Sequence, residues 1–239
     1  MPATTDLTFP AAGGKAMQAA LALPRLPGKR PAVIVIHEIF GLNDDIRGIT
    51  GRVADLGYVA LAPDLYDRPG IRLVCIARTM ATLRRGRGDA FDDLDAARAW
   101  LAARPEVDAT RLGVVGFCMG GSFALLYAVR APLGVAAVFY CEAPKTAQQL
   151  EGVCPVLGGF GGRDRLFAAH GRRLEQMLTE LNVPHDVRLY DDAGHSYMSQ
   201  HGGWLARMAG HGPMKVGYNP AAAEDSWKRM REFFAQHLG

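Results

Sequence analysis

An α/β architecture, a mainly parallel central sheet flanked by helices on both faces, is what this 239-residue sequence predicts, and three observations predict it. Apolar runs of strand length alternate with longer amphipathic stretches. The apolar runs are continuous, as expected of strands buried on both faces. Gly- and Pro-rich punctuation is spread between the segments and does not gather into a linker. Alternation of this kind is satisfied by parallel pairing, with the crossover helices packed over the sheet.

The strand signal falls on residues 32–36, 58–62, 112–115, 135–140, 155–158 and 187–190. Residues 12–15 and 26–31 read as early turns, and a helix is expected after residues 37–42. Residues 92–103 put Leu94, Ala97 and Leu101 on one helical face, and 165–181 do the same with Leu174, Leu178 and Leu181. Another helix is expected to begin near Gly120. The last, over 221–237, carries Ala223, Trp227, Met230 and Phe234 behind Pro220, whose fixed φ and missing N–H suit a helix start. Residues 68–88 and 199–219 fit no element and are long for connections, so they are expected to be lid-like loops over a substrate site. There is no internal repeat, and a single domain over residues 1–239 is expected.

Composition narrows the function. With 49% hydrophobic residues, 21% charged residues and a net charge of +3, the chain has neither the basic excess of a nucleic-acid binder nor a membrane-spanning run. The cluster Arg84, Arg85 and Arg87 reads as a solvated stretch. Cysteines 75, 118, 141 and 154 show no CxxC pairing or metal-ligand spacing, and no signal-type segment opens the chain; reduced thiols in the cytoplasm are expected. His170, His185, His201 and His211 fall in no HxH or HExxH frame, so neither metal nor cofactor is expected.

The chemistry gathers at three strand ends. Residues 116–120, Gly-Phe-Cys-Met-Gly, have the form G-x-nucleophile-x-G where a strand must turn sharply into a helix. Flanking glycines are needed there because side chains would collide with strand and helix, and the helix N-terminus favours negative charge. A nucleophilic cysteine needs a base, and the base needs an orienting carboxylate. Asp164, after the run 155–160, and His195, after 187–190, supply both in the order nucleophile, acid, histidine. Asp191 and Asp192 are rival acids, but they lie too near His195 in sequence to reach round it easily. Tyr197 and Trp204 are candidates for an apolar pocket wall.

Together HEIFGLN (37–43), APDLY (62–66), GFCMGG (116–121), GGRD (161–164) and AGHS (193–196) resemble the dienelactone hydrolase family, a cysteine-dependent branch of the α/β-hydrolase fold. The resemblance runs roughly from Gln18 to Leu238. It implies Cys118 as nucleophile, His195 as base and Asp164 as its partner. It further implies the backbone N–H groups of Ile39 and Met119 as oxyanion hole, and Glu38 as the glutamate that contacts the resting thiol. The expected substrate is a small ester or lactone, cleaved through a thioester acyl-enzyme. A general carboxylesterase or thioesterase is the alternative within the class, and a thiol redox sensor or ligand-binding module the alternative outside it. One departure bears on specificity. The family's dienelactone-cleaving members hold the substrate carboxylate with two arginines, and the one expected shortly after His195 is replaced by the neutral residues 196–200. Arg72, Arg78 or Arg84 remain open for the other, with Arg207 as a possible substitute from the second long segment.

Overall fold

The computed structural model describes residues 2–68, 71–200 and 210–239. Eight strands form one sheet in the order β1-β2-β4-β3-β5-β6-β7-β8. The six expected strands are present as β3 (Arg30–Ile36), β4 (Val59–Pro63), β5 (Val107–Phe117), β6 (Val135–Phe139), β7 (Val156–Gly161) and β8 (His185–Tyr190), and all six pair in parallel. Their continuous apolar character follows from burial on both faces. In β3, Ala32, Ile34 and Ile36 enter one core, while Val33 and Val35 enter the other.

Two helices, α1 (Asp44–Asp55) and α6 (Pro220–Leu238), cover one face through Ile46, Ile49, Val53, Ala223, Trp227, Met230 and Phe234. Helices α3 (Asp89–Ala102), α4 (Met119–Arg130) and α5 (Ala168–Glu180) cover the other, burying among others Leu94, Leu101, Phe123, Leu174 and Leu178. Each helix expected from the sequence is therefore observed, with ends that shift by a few residues. Among the described residues no helix is long and apolar enough to cross a membrane.

Three elements depart from expectation. β1 (Thr5–Pro10) and β2 (Ala16–Ala22) form an antiparallel hairpin that adds to the sheet through β4. Neither has a strand signature: β1 lies at the edge with mostly exposed polar residues, and β2 is rich in alanine, which favours helix. Residues 68–88, expected as a loop, contain the four-turn helix α2 (Arg72–Arg85), which ends at Gly86 with φ 65°. Its buried face is made of Cys75, Thr79, Thr82 and Leu83, whereas Leu73 and Val74 are 75% and 52% exposed. The hydrophobic pattern thus runs against the buried face, and periodicity misses the helix.

Alignment of the strand ends positions the site. Ile36 pairs with Gly116, Phe117 with Phe139, and Gly161 with Tyr190, so the segments after β3, β5, β6, β7 and β8 emerge on one edge. The β5–α4 crossover there is tight. A Cβ on Gly116 would lie 2.0 Å from the Gly120 carbonyl oxygen, and one on Gly120 would lie 2.3 Å from that of Ile36. Backbone cannot give way as a side-chain tip can, so Gly120→Ala is expected to cost about 1–3 kcal/mol of stability. Chemical denaturation checks this, and an unchanged midpoint contradicts it.

Candidate active site

Cys118 occupies the sharp turn between β5 and α4, with φ 54° and ψ −121°. A non-glycine residue rarely adopts a positive φ, and such conformations cost about 1–3 kcal/mol unless the surroundings over-determine them. Here they do. The Cys118 N–H donates to the Phe139 carbonyl at 3.0 Å, and the Cys118 carbonyl accepts from the N–H groups of Gly121 and Ser122 at 3.0 and 3.3 Å. The thiol is thereby held at the helix N-terminus, partly exposed.

Asp164 follows β7 and is fully buried. Its Oδ1 accepts from the N–H groups of Leu166 and Phe167 at 3.0 and 3.2 Å. These bonds turn Oδ2 toward His195, whose Nδ1 donates to it at 2.6 Å. The histidine backbone is pinned by the segment before α6: its N–H donates to Met214 and its carbonyl accepts from Gly217. The ring lies between Tyr140 and Phe167, with centroids 5.1 and 4.8 Å away. Nε2 is buried without a hydrogen-bond partner among the described residues. Burial opposes charge on this ring, but the Asp164 bond and the interaction with Cys118 outweigh it and push the His195 pKa up to about 10. Asp191 and Asp192 lie on the surface.

Glu38 is almost wholly buried beside this pair. Its Oε1 accepts from Tyr140 and Ser199 at 3.0 and 2.8 Å, and its Oε2 accepts from Ser196 at 3.2 Å. Among the described residues three hydroxyls therefore hold the carboxylate, which shares one cavity wall with Cys118. Tyr140 and Ser199 were not anticipated; Tyr140 directly follows β6, so the rule that strand C-termini carry the site was the available signal.

The turn carrying Ile39 is fixed by a second buried histidine. His37 Nδ1 donates to the Glu38 carbonyl at 2.7 Å, Gly41 N–H donates to the same oxygen at 3.0 Å, and His37 Nε2 accepts from Leu65 N–H at 3.1 Å. Both ring nitrogens are thus committed in the neutral form, and burial lowers the pKa despite Asp64 nearby. Because a trans peptide points its N–H opposite its carbonyl, this clamp also orients the Ile39 N–H. Met119 opens α4, where an N–H has no intrahelical acceptor, and its sulfur accepts from Tyr66 at 3.3 Å.

Cys118, His195, Glu38, Ile39 and Met119 line one cavity of about 500 Å³, closed by Phe40, Met80, Leu83, Phe167, Met214 and Val216. From the stretch expected as a loop over 68–88, helix α2 therefore reaches the site through Met80 and Leu83. The proposed binding residues fare differently. Tyr197 is fully buried, pairs with Ser226 at 2.9 Å and belongs to the core under α6. It is no part of the cavity wall. Arg78 faces Asp89 at 3.4 Å, and Arg84 lines a separate adjoining cavity. Arg72 donates to the Phe40 carbonyl. Trp204, Arg207 and His201 lie outside the described residues. Among the described residues no group of His, Cys, Asp and Glu is arranged to hold a metal ion.

The chain is similar to known proteins over nearly its whole length. The model of the dienelactone hydrolase family matches residues 17–238. A putative carboxymethylenebutenolidase of Salmonella typhimurium is 35% identical, over 95% of this chain and 85% of that protein. The carboxymethylenebutenolidase of Rhodococcus opacus is 31% identical, over 88% of this chain and 83% of its own. Among solved structures, a putative dienelactone hydrolase from Klebsiella pneumoniae superposes with a TM-score of 0.80 at 27% identity, covering 99% of both chains. A dienelactone hydrolase-like promiscuous phosphotriesterase from metagenomic libraries gives 0.83 at 27% identity, covering 99% of this chain and 100% of that one. A match over nearly the whole chain, on an α/β scaffold with its polar residues gathered at one sheet edge, means that the chain belongs to the dienelactone hydrolase family.

Proposed function

We propose that the protein hydrolyses an ester or lactone through a Cys118–His195–Asp164 triad and a thioester acyl-enzyme. The observation that carries this reading is the 2.6 Å bond from His195 Nδ1 to Asp164, which leaves the unpartnered Nε2 on the cavity side with Cys118. Sulfur attacks the carbonyl carbon with its proton held on Nε2, in keeping with the raised His195 pKa. The developing oxyanion accepts from the N–H groups of Ile39 and Met119. Collapse expels the alkoxide, which His195 protonates, and the acyl group stays on sulfur. Water then gives a proton to Nε2 and attacks the thioester, releasing the acid and restoring the thiol. In a lactone the leaving alcohol remains tethered to the product.

A thiol sensor needs a partner for the oxidised sulfur. Cys75 and Cys141 are buried, and burial also raises the Cys141 and Cys154 thiols, so the site supports acyl transfer better. The test is rapid quenching with p-nitrophenyl acetate. A burst of p-nitrophenol with one acetyl group on the Cys118 peptide is expected. Turnover with acetyl on no cysteine, or on another one, overturns the mechanism.

A further inference from the structure

We propose that the protein has a second ligand site, an arginine-lined cavity between α2 and α3 that binds a phosphate dianion carried on a small molecule. The site stands apart from Cys118 and is independent of the hydrolase reading. A cavity of about 510 Å³, the size of a small-ligand pocket, opens there. Arg68 reaches it from the segment after β4, Arg78 and Arg85 from α2, and Arg87 from the turn into α3, so four guanidiniums converge from three parts of the chain. Helix α2 divides it from the catalytic cavity: Arg78, Thr79 and Thr82 line the one, Met80 and Leu83 the other.

Two of the arginines are held in place and two are uncommitted. The Arg68 side chain is only 7% exposed and is fixed by the fully buried Asp93 and by Asp89 at 3.1 Å. Asp89 also accepts from Arg78 at 3.4 Å, through the same Oδ2, so this wall already converges on the position of one anionic oxygen. Arg85 and Arg87 pair with no carboxylate among the described residues, and the residues outside that set contain no Asp or Glu. Four guanidiniums face Asp89 in the wall and Asp93 behind it, which leaves two positive charges in excess. That excess matches a phosphate monoester, whose oxygens suit the planar donor fork of arginine. Gly88 and Ala90, at the start of α3, line the same cavity, where helix N–H groups lack intrahelical acceptors and add to the attraction. The stretch that reads as solvated in the sequence thus divides: Arg84 lines the other cavity, while Arg85 and Arg87 serve this one.

Calorimetric titration of the full chain with inorganic phosphate and with glycerol 3-phosphate, at about pH 7.5 and about 0.15 M ionic strength, tests the site without any turnover. We expect each to saturate a single site. Arg85→Gln and Arg87→Gln, both at exposed positions, should each weaken binding about tenfold, the scale of a charge-assisted arginine–phosphate contact. Arg84→Gln removes the same charge outside this cavity and should change the affinity by less than about twofold, since salt screens a charge that does not touch the ion. Asp89→Asn takes away the carboxylate that occupies Arg68 and Arg78, and should tighten binding. A native protein without saturable binding, an equal loss in Arg84→Gln, weaker binding in Asp89→Asn, or tighter binding of succinate than of phosphate overturns the proposal. Binding that is abolished when iodoacetamide alkylates Cys118 also overturns it, because the ion would then sit in the catalytic cavity.

Discussion

Cys118→Ala should lose turnover on every ester that the native protein cleaves, by a factor on the order of 10⁵ or more, as when a nucleophile is removed from another triad. The remaining oxyanion donors and the cavity still bind substrate, but nothing is left to form the acyl-enzyme. Stability should barely change, because the Cys118 side chain is only partly buried and its turn is held by the bonds to Phe139, Gly121 and Ser122. Alanine keeps those backbone bonds. Cys118→Ser should retain a small residue of activity, since a hydroxyl gives up its proton far less readily than a thiol. Steady-state kinetics beside a denaturation curve make the measurement. An alanine variant that folds normally and keeps more than about a hundredth of native kcat/KM would assign the nucleophile elsewhere.

What the sequence disclosed and what it concealed divide along physical lines. β3 to β8 were legible because burial on both faces demands unbroken apolar runs, and no other local structure explains six of them at strand length. β1 was not, since an exposed edge imposes no such demand, and β2, though largely buried, was hidden by its alanines, which favour helix. α2 was hidden because Thr79 and Thr82 face the protein while Leu73 and Val74 face solvent. At the site, Cys118, Asp164 and His195 stood out because strand ends and glycines mark them in the chain. The three hydroxyls on Glu38 did not. Ser196, Ser199 and Tyr140 meet on Glu38 only because the segments after β6 and β8 come together with the one after β3 at one edge of the sheet, a long-range fact without local signature. His37 was read merely as part of a motif, yet its two backbone bonds hold the Glu38–Ile39 peptide.

Asp164→Asn should fold and lose on the order of 10²–10⁴ in kcat, the penalty of a triad whose histidine loses its orienting charge. The local bonds say why. Asp164 Oδ1 is engaged by the N–H groups of Leu166 and Phe167, so an asparagine keeps its oxygen there and turns its NH₂ toward His195 Nδ1. Nδ1 must then accept, which moves the ring proton to Nε2, where it blocks proton removal from Cys118. Titration should register the same change. Burial lowers the His195 pKa, the Asp164 and Cys118 interactions raise it, and the net position is about 10 against an ordinary 6.5. Without the carboxylate it should fall. A histidine whose pKa is raised by folding contributes stability that is complete below its ordinary pKa and is lost as pH rises through the folded one. The stability deficit of Asp164→Asn that comes through this pair should therefore be largest below about pH 6.5 and fade toward pH 10. Thermal melts of both proteins across that range, with imidazole NMR titration, test it. Native kcat in Asp164→Asn, or an equal loss in Asp192→Asn, would transfer the role to another acid.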